Sequence, residues 1–142
     1  MKINRHIIIA SHSNLAQGMK DTLEFFAGDK LKITVLTAYV DNVPIDETIK
    51  SMFENIDSDD EIVVLTDILG GSVNQKFFLY INRPHTILLT GMNLSLALAI
   101  TMEPLDSYIS PEKIKELVLD AQKQIKYENE ISTLVSEEDE WV

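Results

Sequence analysis

The chain reads as an α/β domain, doubly wound around a mainly parallel sheet of about four strands in the order 2-1-3-4. Two observations predict this. Short apolar runs alternate with stretches of helical period, the pattern of repeated βαβ units. The run at residues 61–67 has a continuous apolar middle, which suits a strand covered on both faces. The length of 142 residues fits one such domain, able to bury roughly 70% of its unfolded surface without staples.

The first strand is placed at residues 6–10 and ends in the polar cluster Ser11-His12-Ser13-Asn14. From there Leu15, Met19, Leu23 and Phe26 recur at helical spacing as far as Gly28, a C-terminal stop. Residues 32–38 are rich in β-branched side chains and form the second strand, with 39–44 as a loop. Ile45, Ile49, Met52, Phe53 and Ile56 mark the second helix, and Ser58-Asp59-Asp60 turns the chain into the central third strand. Ser72 is read as the cap of a third helix that carries Val73, Phe77, Phe78 and Ile81 inward. A fourth strand at 86–89 and a short helix at 94–102 follow. Pro111 then opens a longer helix with Ile114, Leu117, Val118, Ala121 and Ile125 on one face. Residues 128–134 are read as a final strand, either antiparallel in the same sheet or paired with another chain. The domain is placed at 1–135 and a solvated acidic tail, with Glu137-Glu138-Asp139-Glu140, at 136–142.

Composition excludes several classes. A net charge of −11 without a basic stripe argues against nucleic acid, whose binding draws on clustered Lys and Arg. The absence of cysteine removes disulfides, thiolate nucleophiles and Cys-based zinc sites, and suits the cytoplasm. The amino-terminal apolar stretch covers only Ile7 to Ala10, too short for a signal-peptide core. Residues 86–102 are interrupted by Gly91, Asn93 and Ser95 and fall short of the ~20 apolar residues a bilayer requires.

In open α/β sheets ligands sit beyond the carboxyl ends of the strands, where strand order reverses. With the order 2-1-3-4, the loop bearing His12 lies beside the loop Asp67-Ile68-Leu69-Gly70-Gly71-Ser72. An Asp bonded to one imidazole nitrogen fixes the tautomer and leaves the other with a lone pair for attack, so His12 is the candidate nucleophile and Asp67 its support. Backbone N–H groups near Gly70, Gly71 and Ser72, with the Ser72 hydroxyl, are candidate donors to phosphoryl oxygens. A lone loop His, a strand-ending Asp and a Gly-Gly-Ser turn are each ordinary alone; their convergence on one rim indicates a phosphate or phosphohistidine site. His6 and His85 fall at the opposite, amino-terminal rim and are read as structural or solvent-facing. Thr66 points to the other side of its strand from Asp67.

The segments Ile7-Ile8-Ile9-Ala10-Ser11-His12, Asp67-Ile68-Leu69-Gly70-Gly71-Ser72 and Gly91-Met92-Asn93-Leu94 together resemble the IIA domain of the mannose-family sugar phosphotransferase system. The resemblance implies that His12 is phosphorylated by the phosphocarrier protein HPr and donates to a IIB domain, with Asp67 as the supporting acid. It also implies a homodimer with an exchanged last strand, no metal, no cofactor, and contact with the membrane only through the transporter. The family often has Pro after Gly-Gly-Ser; Val73 stands here and is expected to loosen the loop slightly without removing its donors.

Alternatives remain open at this point. The phosphotransferase subunit of a dihydroxyacetone kinase shares a Ser-His-Ser-like first loop, although the full motif from Asp67 to Ser72 favours sugar transport. A non-catalytic flavodoxin-like regulatory module is the other reading. A receiver domain would need acidic residues after the first strand, and a flavin site a Ser/Thr- and Gly-rich loop there; Ser11-His12-Ser13 supplies neither. A hydrolase using Ser72 lacks the Gly-x-Ser-x-Gly spacing.

Overall fold

The computed structural model describes residues 2–131. Its elements run β1 (Arg5–His12), α1 (Leu15–Ala27), β2 (Ile33–Ala38), α2 (Ile45–Glu54), β3 (Glu61–Thr66), α3 (Ser72–Phe78), β4 (Thr86–Leu89), α4 (Leu94–Thr101) and α5 (Pro111–Gln122). The four strands form one sheet in the order β2-β1-β3-β4, all pairs parallel. Every residue of β3 is buried, as its unbroken apolar middle requires.

Period-two alternation along the strands divides the core between two faces. Ile7, Ile9, Val63, Leu65 and Leu89 face the layer of α1, α4 and α5. Ile8, Ala10, Leu36, Ala38, Ile62 and Val64 face α2 and α3. The α2 stripe is Ile45, Ile49 and Phe53, each four residues after the last, and all three are buried. By contrast α4 is apolar nearly all round, because it packs against both α1 and α5 as well as the sheet. Asn93 starts it, accepting from the Leu96 N–H at 2.9 Å. Ser110 does the same for α5, ahead of Pro111 in the first turn.

Several expectations are corrected. The strand carrying the first motif continues through Ser11 and His12, since both residues pair with β2. Gly71, not Ser72, occupies the cap position of α3, and Ser72 begins the helix with its side chain turned outward. Phe78 is 59% exposed, because it lies in α3 one residue past Phe77 and off the inward face, and Ile81 is 38% exposed, because α3 ends before it. Ile125 lies beyond the end of α5 and is exposed. Val73 is fully buried against the sheet with Phe77, so it anchors the loop it was expected to loosen. Glu128–Glu130 forms a 3-10 turn in place of the start of a final strand. Residues 132–134 of that strand, and the acidic tail, lie outside the described residues.

A buried ion pair fastens the amino-terminal rim. Arg5 in β1 and Glu61 in β3 are joined side by side, each almost inaccessible. The Arg5 guanidinium also donates to the carbonyls of Glu103, Pro104 and Ser107, and Glu61 Oε2 accepts the Ile109 N–H at 2.8 Å. The segment between α4 and α5 is thereby tied to the sheet. Removing one partner leaves the other charge buried and unpaired, so Glu61→Ala is expected to cost about 3–5 kcal/mol of unfolding free energy in urea titrations. The double variant Arg5→Met/Glu61→Leu is expected to recover only part of that loss, because it removes the unpaired charge but leaves the Glu103, Pro104 and Ser107 carbonyls and the Ile109 N–H without these partners.

Candidate functional site

The site sits at the carboxyl rim, where β1 lies between β2 and β3. The β1–β3 ladder ends at the pair Ala10 and Thr66. Beyond it, His12, two residues on in β1, and Asp67, one residue on from β3, make side-chain contact instead. Asp67 Oδ2 accepts the His12 backbone N–H at 2.7 Å and bonds His12 Nδ1 at 2.8 Å. Asp67 Oδ1 accepts the Ile68 N–H at 2.9 Å. The carboxylate is 6% exposed and the imidazole 40%.

Burial alone would raise the Asp67 pKa, but the N–H donors of His12 and Ile68 outweigh it and hold the carboxyl below its ordinary value of 3.8. The carboxylate is therefore ionised at neutral pH and only accepts, so Nδ1 carries the ring proton. In the neutral ring Nε2 then has the lone pair, and it lies 3.3 Å from Ser72 Oγ.

Each wall has a local cause. Ser11, buried at the end of β1, accepts the Ala16 N–H at 2.8 Å and donates to the Ser13 carbonyl at 3.1 Å, joining strand to α1. Ser13 takes a positive φ of 54° and Tyr39 one of 68°, both where a strand ends. Gly70 has φ 73°, a conformation that favours glycine. Gly71 is favoured by close approach: a Cβ there would stand 3.3 Å from the Ile68 carbonyl oxygen and 3.4 Å from His12 Cε1.

His12, Asp67, Gly71 and Ser72 are thus brought together as the sequence predicts. The glycine N–H groups, however, are engaged within the loop. Gly70 N–H donates to Asn74 Oδ1 at 3.1 Å, and Gly71 N–H to the Ile68 carbonyl at 3.1 Å. Among the described residues, the N–H groups of Ser72, Val73 and Asn74 have no backbone acceptor, as the first turn of a helix dictates. Of these three residues, Ser72 reaches His12 with its side chain.

Two residues of the site were not singled out from the sequence. Asn74, buried, donates to Thr66 Oγ1 at 3.1 Å while accepting from Gly70, and so pins the loop to β3. Tyr39 packs its ring 5.4 Å from the His12 ring and bonds Ser72 Oγ at 2.6 Å. Strand order held the signal for Tyr39, because it follows Ala38, the register partner of His12.

His6 pairs with Asp60 at 2.9 Å and His85 stacks on Tyr108, both at the amino-terminal rim as predicted. A groove of about 640 Å³ lined by His6, Thr34, Glu47 and Asn55 also opens toward that rim, remote from His12. The His12 centre is a surface site, in contrast to the concave pockets that enclose small ligands, and the segments that follow β1, β2 and β3 carry exposed Leu15, Val40, Val43, Ile68 and Leu69. Among the described residues there is no cluster of three or more His, Asp or Glu able to hold a metal, and no helix long and apolar enough to cross a membrane.

Residues 6–118 match the family described as the PTS system fructose IIA component, EIIA-man. Three solved structures are similar. One, described as a phosphoenolpyruvate-dependent sugar phosphotransferase system permease of Klebsiella pneumoniae, shares 32% identity over 92% of this chain and 95% of its own, with TM-score 0.82. The PTS IIA protein associated with the fucose utilization operon of Streptococcus pneumoniae shares 28% identity over 90% and 96%, with TM-score 0.73. A mannose/sorbose specific IIA subunit from Enterococcus faecalis shares 17% identity over 87% and 94%, with TM-score 0.71, a likeness of fold.

Because the Asp67 pKa is lowered on folding, its contribution to stability is present above the unfolded value and is lost as pH falls through the folded one. The difference in unfolding free energy between wild type and Asp67→Asn is expected to be full above about pH 5 and to shrink steadily below about pH 4. Urea titrations across that range, on both proteins, measure it.

Proposed function

The chain belongs to the mannose/fructose-type IIA family of the sugar phosphotransferase system and is a phosphoryl carrier of that system, and we propose that His12 is the residue that carries the phosphoryl group. The observation that supports this most is the pairing of a buried, ionised Asp67 with His12 Nδ1, which leaves Nε2 as the nucleophilic nitrogen at the surface.

In this reading the donor is HPr, itself phosphorylated on histidine, and the acceptor is a IIB domain. The Nε2 lone pair attacks phosphorus in line, and the bond to the donor nitrogen breaks with its electron pair staying on the donor. Transfer through a loose transition state asks chiefly for positioning and charge stabilisation. Asp67 supplies the first by holding His12 at two points, its backbone N–H and its ring Nδ1, and the Ser72 hydroxyl and N–H contribute the second at the phosphoryl oxygens. Gly70 and Gly71 shape the loop that lets those oxygens approach; their own N–H groups already have acceptors.

The exposed apolar residues of the segments that follow β1, β2 and β3 suit a partner that is itself a protein. A homodimer is part of the same proposal. Work at the membrane is then through the transporter complex.

Incubation with phosphoenolpyruvate, enzyme I and HPr, followed by intact-mass analysis, tests the assignment. Wild type is expected to gain one acid-labile phosphoryl group, and His12→Ala none. Asp67→Ala loses charge-assisted hydrogen bonds worth about 1.5–3 kcal/mol, so its uptake is expected to slow by roughly tenfold to a hundredfold. A wild type without an adduct, or an adduct retained by His12→Ala, overturns the assignment.

A further inference from the structure

Hydrogen-bond direction around Nε2 follows from the groups that surround it. Asp67 keeps a ring proton on Nδ1, so in the neutral imidazole, the form that attacks, Nε2 has only a lone pair and must accept. The partner 3.3 Å away, Ser72 Oγ, must then donate. A hydroxyl has one proton, so in the 2.6 Å bond between Ser72 Oγ and Tyr39 Oη the donor is Tyr39. The chain of donors runs Tyr39 to Ser72 to His12.

Resting on the carrier reading above, we infer that Tyr39 is a positioning residue for transfer at His12: its hydroxyl commits the Ser72 proton to the side of Ser72 Oγ where the phosphoryl group arrives. Tyr39 does not touch the reacting atoms and acts through Ser72. Its own placement is strongly determined. It follows Ala38 in β2, the register partner of His12, and the Ala38 carbonyl accepts the Ser13 N–H at 2.8 Å. Its φ of 68° is one that a bulky side chain rarely adopts. That conformation brings the phenol back over the rim, ring against imidazole at a tilt of 43°, where an extended residue would continue the strand away from it. Such backbone strain persists where the surroundings over-determine it and concentrates at functional sites.

The chain of donors behaves differently before and after transfer. Before, it holds the imidazole between Asp67 on one nitrogen and Ser72 on the other. When the Nε2 lone pair enters the new N–P bond and the donor's N–P bond breaks, Nε2 no longer accepts. The Ser72 proton then turns to a phosphoryl oxygen, while Tyr39 still donates to Ser72 Oγ. No proton leaves the site, since Nδ1 keeps its own on Asp67. Without the Tyr39 hydroxyl the Ser72 hydroxyl rotates freely and is aimed at the phosphoryl group only part of the time.

The test uses the full chain labelled with ¹⁵N-histidine, as wild type, Tyr39→Phe and Ser72→Ala. Phenylalanine keeps the ring and the exposed position, so the fold and the packing on His12 are retained. In Tyr39→Phe the His12 Nε2 resonance is expected to move from its wild-type position toward that of Ser72→Ala, while Nδ1 stays in place. Single-turnover phosphoryl uptake from phosphorylated HPr is expected to slow by about threefold to tenfold, the value of one neutral hydrogen bond, with the same final stoichiometry. A wild-type Nε2 position or a wild-type uptake rate in Tyr39→Phe overturns the proposal. Absence of any adduct on wild type removes the carrier reading instead, and the Nε2 comparison still decides whether Tyr39 and Ser72 are linked to His12.

Discussion

One carboxylate oxygen, Asp67 Oδ2, accepts both the backbone N–H and the ring Nδ1 of His12, and the remaining features of the site follow from that double attachment. Two bonds from one residue to one oxygen fix the ring's position along the strand as well as its rotation. Because the acceptor is ionised, they also fix the tautomer, and with it the direction of each hydrogen bond beyond Nε2. None of this is local in sequence. It exists because β1 and β3 are neighbours in parallel register, so that His12, two residues past the last ladder pair, meets Asp67, one residue past it. The fully buried β3 and the ion pair between Arg5 and Glu61 at the far rim hold that register, since a slip of one residue would turn Ile8 and Val64 to the opposite face.

Conformational constraint is gathered on the same rim. Ser13, Tyr39 and Gly70 all adopt left-handed backbone there, and Gly71 admits the ring edge of His12 where a methyl group would crowd it. These choices oppose local preference, and the structure opposes them with specific ties. Ser11 braces the start of α1, Asn74 bridges Gly70 to Thr66, and Val73 roots the loop in the core. A histidine that is 40% exposed is thus backed by a shell with little freedom, which is what a site requires if its partner is to meet a preset geometry.

The sequence showed what depends on period and strand order. Alternating patterns placed every element of the sheet, and the order 2-1-3-4 was enough to set His12 beside Asp67. What it concealed depends on single-residue geometry. Ser72 was read as a cap because Ser favours that position, yet the cap fell on Gly71, which freed the Ser72 hydroxyl for His12. The glycine N–H groups looked available because Gly-Gly turns commonly present them, but an asparagine four residues after Gly70 and the carbonyl of Ile68 were already in place. Tyr39 carried no motif at all, and only the register of β2 against β1 makes it a neighbour of the site.

A carrier must give up its phosphoryl group as readily as it takes it, and the position of the Nδ1 proton serves both directions of the proposed cycle. In acceptance the ring attacks as the neutral Nδ1–H form and becomes positively charged once Nε2 is bonded to phosphorus. The ionised Asp67, 2.8 Å from Nδ1, offsets that charge without having to take up a proton. In donation the ring leaves as the same neutral form. Had the carboxyl been protonated, Nδ1 would have been free to accept in its place, and the nucleophilic lone pair would have been divided between the two nitrogens. The hydrogen bonds that lower the Asp67 pKa against the cost of its burial are therefore what keep the carrier nitrogen single, and they arise from the Ile68 N–H and from His12 itself.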